Sequence, residues 1–384
     1  MRLSPCPLLV SLVVSSVAVF AQDPAPAPQA PAAGAPAAAP AAPAPPVWSV
    51  GPIDFSGLVD GYYNFNFNHP ASGNNQTYNF DDQANQFSLN MAKLSMSHTA
   101  DPVGFQVDFG FGKAFENIHT SESEPAIFRN LEQAYVSLKP LKMNGLQFDF
   151  GQFVTSAGAE VIESHSNWNY SRSLLFALAI PYYHFGLRVT EPMGKYFTGG
   201  VQVVNGWNNI EDNNSGKTIG VVGNFASKKF MWNNNYYTGP ENPGTNKGFR
   251  NLYDTTVMLM PADVFNAYFN FDYAQNTSYV GKTSTTAQWY GLAGAAKFQF
   301  GKSAITPRLE FFNDRDGYET GKAQTLKEFT ATYEYKWVEG LLSRIEYRHD
   351  WSNQHFYDRG GTLAESKHMD TLTIAFIAFF GPKR

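Results

Sequence analysis

The chain of 384 residues has a single cysteine, Cys6. Cys6 precedes the apolar core of the N-terminal segment, so the rest of the chain can form neither a disulfide framework nor a thiolate metal centre. Long hydrophobic runs are also missing after the N-terminus. One of the longest, residues 174–180, is bounded by Arg172 and Pro181 and falls far short of the roughly 20 apolar residues that a membrane-spanning helix needs. Charge is sparse, at 16% of residues with a formal net value of −5, and no basic patch with interleaved aromatics is present. A nucleic-acid partner is therefore not expected.

What is present is a pairing of aromatics, 15% of the chain, with many Asn, Gly and Thr, at a negative mean hydropathy. That mixture suits a wall with one oily side and one wet side. Residues 1–21 carry one positive charge at Arg2, an apolar core from Leu8 to Phe20 and small residues at Val19 and Ala21. This is the pattern of a secretory signal peptide cut after Ala21. Residues 23–46 are almost pure Ala and Pro, which predicts an extended periplasmic spacer over 22–50.

From residue 51 onward, alternation dominates. In "DFSGLVDGYYNFNFN" the side chains of Phe55, Val59, Tyr63, Phe65 and Phe67 share one face, while Ser56, Asp60, Asn64 and Asn66 share the other. In "VGFQVDFGFG" Val103, Phe105, Val107, Phe109 and Phe111 oppose Gln106 and Asp108. Period two places the two sets on opposite faces of a sheet. About sixteen such segments are predicted, with a phase slip between Met91 and Leu94 that reads as a bulge. Short connections at 100–102, 139–145, 190–196, 226–229, 261–263, 301–304 and 337–340 alternate with long polar ones at 68–85, 113–129, 154–181, 205–217, 238–250, 275–286, 313–325 and 352–367.

Short turns on one rim and long loops on the other are the signature of an all-β fold, a transmembrane antiparallel up-and-down β-barrel. Lipid offers no partner to a backbone amide, so the sheet must close with apolar side chains outward and polar ones inward. Trp168, Tyr182, Trp289, Tyr335, Trp337 and Trp351 near strand ends are expected at the membrane interfaces.

The segments "NWNYSRSLLFALAIPYYHFGLRV" (167–189), "NGWNN" (205–209), "RLEFFNDRDG" (308–317), "RIEYRHDWS" (344–352) and "DTLTIAF" (370–376) resemble, in order, the OmpL-like family of bacterial β-barrel porins. The resemblance implies an outer-membrane channel. A barrel of this strand number is too wide for side chains to fill, so passive diffusion of small hydrophilic solutes or ions is the expected function. The loop 154–181 is the expected constriction, with its apolar run packed against the inner wall.

Glu160, Glu163, Asn167, Asn169 and Arg172 on that loop are expected to line the narrowing, together with the inward Arg188, Arg308, Glu310, Glu334, Arg344, Glu346 and Arg348. The arginines would form a basic wall facing the acidic Glu160 and Glu163, a transverse field of the kind that selects ions. Register about the turn 337–340 sets Glu334 opposite Arg344. No catalytic residue, metal or cofactor is expected. Candidate hydrolase groupings, His349 with Asp350 and Ser352 and His184 with Ser171 or Ser173, lack a nucleophile elbow, and the eight histidines are scattered. Outer-membrane lipids and small solutes are the expected partners, and a homo-oligomer such as a trimer is compatible with them. A surface-binding barrel with a plugged lumen is the alternative that loop composition leaves open, since Asn, Gly and Asp are also the residues of solvated turns.

Overall fold

The structure, a computed structural model, describes residues 49–119 and 128–382. The signal-peptide reading and nearly all of the Ala/Pro spacer lie outside the described residues, as does 120–127 of one long connection.

Among the described residues, sixteen long strands form one antiparallel sheet. They are β1 (Ile53–Asn66), β2 (Gln86–His98), β3 (Val103–Phe111), β4 (Leu131–Leu138), β5 (Gln147–Val154), β6 (Tyr183–Pro192), β7 (Phe197–Val204) and β8 (Thr218–Ala226) in the first half. The second half holds β9 (Phe230–Gly239), β10 (Arg250–Ala262), β11 (Phe265–Val280), β12 (Thr283–Phe300), β13 (Ser303–Asp314), β14 (Gln324–Val338), β15 (Leu341–Ser352) and β16 (His368–Phe380). Each strand pairs with its successor, and β16 pairs with β1 from Thr371 opposite Asn66 to Phe380 opposite Gly57. The ring has no open edge, so the backbone groups of the wall are satisfied internally.

Side-chain parity follows the alternation. On β13, Arg308 and Glu310 are buried inside while Leu309 between them is 61% exposed on the outer surface. Val59, Phe111, Phe269 and Leu292 are likewise exposed outward, whereas Asp60, Asp108, Asn270 and Ala293 are buried inward. The connections at one rim are short and those at the other are longer, with one departure from expectation. The predicted loop 275–286 is strand: β11 and β12 continue to Val280 and Thr283 around a turn at Gly281 and Lys282. The Thr-rich stretch is polar yet β-branched, and Gly281, at φ +63°, supplies the left-handed conformation that a two-residue turn requires.

The phase slip on β2 is a bulge, one residue earlier than the sequence pattern places it. Asp60 pairs with Met91 and Gly61 with Leu89, leaving Asn90 extra. Asn90 turns inward beside Met91 and donates to Asp60 Oδ2 at 2.6 Å. The aromatic belt also needs correction. Trp337 is exposed on the outer surface, but Trp168, Tyr182 and Trp289 face the interior, because Trp289 falls on the inward parity of β12 and the other two belong to an inward-packed connection. On the long-loop side, the short helix α1 (Lys113–Ile118) packs on β2 and β3 through Ala114, Phe115 and Ile118.

Candidate functional site

The connection between β5 and β6, residues 155–182, is the expected loop 154–181 displaced by one residue. Its ends meet: Thr155 N donates to Tyr182 O at 2.9 Å. Asn167 fixes the first half by accepting from Val161 N at 2.9 Å and donating to Val161 O at 2.7 Å. Arg172 staples the two halves, with Nε donating to Val161 O at 3.0 Å and its other nitrogens to the carbonyls of Tyr170 and Ile162. Ser173 caps the short helix α2 (Leu174–Leu178) by accepting from Phe176 N at 3.0 Å. Gly158 sits at φ +92°, a left-handed conformation that residues with a Cβ rarely adopt, with Ile180 Cδ1 close beside it.

The apolar run is buried against the inner wall. Leu174, Leu175, Phe176, Ala179 and Ile180 are each at most 3% exposed. Trp289 Nε1 on β12 donates to Ala179 O at 3.3 Å. Gly291 on the same strand leaves the space that Leu175 occupies, because a Cβ there would sit 2.4 Å from Leu175 Cδ2.

The polar groups of this connection reach an arc of strands that runs from β10 through β15 to β1 and β2. Gly158 N donates to Asp254 on β10 and Ala159 N to Asn270 on β11, at 3.1 and 3.2 Å. Glu160 Oε1 pairs with Arg308 on β13 at 2.7 Å, and its other oxygen accepts from Ser173 N at 2.6 Å. Asn169 Nδ2 donates to Thr332 Oγ1 on β14 at 2.7 Å. The amides of Tyr170 and Ser171 donate to the two oxygens of Glu346 on β15, at 2.6 and 2.9 Å. Tyr170 OH donates to Asp60 on β1 at 2.9 Å, and Glu163 pairs with Lys93 on β2.

The arginines complete the clamp. Arg344 Nη1 donates to the carbonyls of Ser164 and Asn169 at 2.6 and 3.0 Å, while Nη2 pairs with Glu334 at 2.6 Å, in the register expected from sequence. Arg308 donates to Ser171 O at 2.7 Å and contacts Glu310 and Glu328 at 3.0 Å each. Arg348 donates to Arg172 O and pairs with Asp350, both at 2.7 Å. Buried charges of this kind hold only when paired and hydrogen-bonded, and these are.

Two expectations change accordingly. Arg308, Arg344 and Arg348 are at most 1% exposed, so they do not face open water; their donors are engaged by the connection and by wall carboxylates. Nor does a basic wall stand across from Glu160 and Glu163. Glu160 is bonded directly to Arg308, and Glu163 to the opposite side, at Lys93. Burial pushes the Glu163 carboxyl up, but the charge and hydrogen bond of Lys93, joined by His165 and a backbone hydrogen bond, together hold it below the ordinary range. Arg188 stands apart, paired with Asp149 at 2.9 Å under the Phe153 ring. Lys93, Asp60, Asp254 and Asn270 join the site although the sequence pattern does not nominate them for it. Inward parity marks Asp60, whereas the bulge obscures the phase of Lys93.

Space remains on one side of the connection. Between its first turn, 155–161, and the inner faces of β6 to β10 lies a cavity of about 80 Å³.

A family model described as "Putative beta-barrel porin-2, OmpL-like" matches residues 52–380. No curated protein matches the chain in sequence. Among solved structures, an anion-selective porin from Comamonas acidovorans is similar over 85% of this chain and 99% of its own, at 11% identity and a TM-score of 0.58. The outer membrane channel DcaP of Acinetobacter baumannii is similar over 85% and 97%, at 10% identity and a TM-score of 0.58. OmpT of Vibrio cholerae in a trimer form is similar over 85% and 99%, at 12% identity and a TM-score of 0.53. At these identities the likeness is one of fold.

Proposed function

The chain belongs to the OmpL-like beta-barrel porin-2 family, and from that membership we propose that it is an outer-membrane channel for passive diffusion of small hydrophilic solutes, narrowed by the connection 155–182. The observation that carries this reading is that one connection bonds to inward side chains of β1, β2, β10, β11, β13, β14 and β15 while leaving room beside β6 to β10. A barrel of sixteen strands without such an obstruction is a wide aqueous bore. In this proposal Glu160, Glu163, Asn167, Asn169 and Arg172 shape the constriction, and Arg308, Glu310, Glu334, Arg344, Glu346 and Arg348 set its position. Arg188 belongs to the wall, paired with Asp149.

The short turns then face the periplasm, residues 1–21 direct export, and 22–50 form a periplasmic spacer. The trimer form of the Vibrio cholerae neighbour supports a homo-oligomer here as well. Swelling of proteoliposomes in neutral sugars of increasing size tests the channel. Swelling that falls off with solute size is expected; none from protein shown to be folded removes the reading.

A further inference from the structure

The free space and the buried charges lie apart. The cavity of about 80 Å³ is lined by Val222, Met231, Met258, Asn224, Asn233 and small residues of 155–161. Its one ionisable lining residue is Glu160, and both carboxylate oxygens of Glu160 are turned away to Arg308 and Ser173 N. Two threonines that line the same space, Thr190 and Thr256, keep their hydroxyl oxygens buried and without a hydrogen-bond partner. A buried hydroxyl without a partner carries a desolvation cost that an incoming donor or acceptor relieves.

We infer that the passage runs along the inner face of β6 to β10 and takes small uncharged solutes that combine apolar surface with hydroxyl or amide groups, rather than sorting ions by charge. This rests on the channel reading above. Ion selection in a narrow pore needs fixed charges at the constriction. Here the arginine and lysine charges are paired with carboxylates and lie outside the lining of this space, so a passing ion meets thioether, methyl, hydroxyl and amide groups. An ion leaving bulk water for such surroundings loses hydration without gaining a countercharge. A neutral solute loses less, and rotation of either threonine side chain presents its unpartnered hydroxyl to it. The volume has room for several water molecules.

The test is the reversal potential of the intact protein in a planar bilayer under a potassium chloride gradient, joined to proteoliposome uptake of neutral and charged solutes matched in size. Wild type is expected to reverse near zero and to admit the neutral member of each pair several-fold faster. Asn224→Lys, on the accessible part of the same wall, is expected to shift reversal toward anion selectivity, and Asn224→Asp toward cation selectivity. Thr256→Asp is a second, more buried probe. Conductance in wild type with reversal close to the full potassium or chloride value overturns this inference and leaves the channel standing. The inference also fails, and the channel still stands, if the Asn224 variants conduct but leave reversal unchanged, since the passage then lies elsewhere. Absence of both conductance and neutral-solute uptake from folded protein overturns the channel reading, and this inference with it.

Discussion

Arg344 and Glu334 face each other in register across the β14–β15 turn at 2.6 Å, and the same guanidinium donates to the backbone of the connection 155–182. A wall ion pair is thus also a clamp on the element proposed to narrow the bore. Arginine suits both tasks because its planar fork can serve a carboxylate and several carbonyls at once.

Arg344→Met removes those donors while Lys297, 3.2 Å from Glu334, still balances the carboxylate. The expected result is a barrel that folds but whose connection is loosened, with single-channel conductance raised roughly two-fold or more as the bore widens. Arg344→Lys keeps the charge without the fork and is expected to fall between. Unchanged conductance in the Met variant, measured in planar bilayers, would contradict the clamp.

The apolar seat gives a second expectation. Leu175→Ala leaves a hole against β12 and is expected to weaken seating of α2 by about 2–5 kcal/mol, read as earlier proteolytic cleavage within 155–182. Gly291→Ala presses on the same spot from the wall. Combining the two is not expected to restore stability, because a Cβ at 291 also meets Phe311 O at 2.5 Å.

A pH dependence is expected in the β1–β2 connection. Asp81 is 1% exposed, and neither of its carboxylate oxygens accepts a hydrogen bond from another residue. Burial and then Glu346 push its carboxyl up to about 7, against the pull of Arg348 and Arg172. The neutral form is therefore favoured by folding; its contribution is full below the ordinary carboxylate range and is lost as pH rises through about 7. Proteolysis of residues 67–85 should speed up between about pH 4 and pH 7 and level off above that, and Asp81→Asn should flatten that rise. A rise that persists in the variant points to another group.

The outer face can be tested at Leu309, which is 61% exposed between two buried charges. Leu309→Arg is expected to lower barrel stability by roughly 2–4 kcal/mol, as a cation near the bilayer midplane does. Denaturation from lipid vesicles would measure it, with a cost near zero excluding a lipid-facing position.

Much of this architecture is legible in the sequence because a period of two reports the face of every residue, and short turns against longer loops report the two rims. Register about a tight turn is equally local, which is why the spacing alone pairs Glu334 with Arg344. Alternation fails where polarity and conformation diverge. The Thr-rich residues near 277–286 look like loop by polarity and are strand by β-branching. At Asn90 a single extra residue reverses the phase and hides Lys93 from the inward set. Which side of the connection keeps free space depends on packing among distant strands, and no spacing in the sequence reports it.

The ends of the connection are in contact, Thr155 N to Tyr182 O at 2.9 Å, so residues 156–181 can be exchanged for a short Gly/Ser turn without moving β5 or β6. Single-channel conductance of that variant against wild type asks whether the connection narrows the bore at all. A rise of several-fold is expected, toward that of an unobstructed sixteen-stranded barrel. Equal conductance from both folded proteins would contradict the proposed function, because the connection would then narrow nothing.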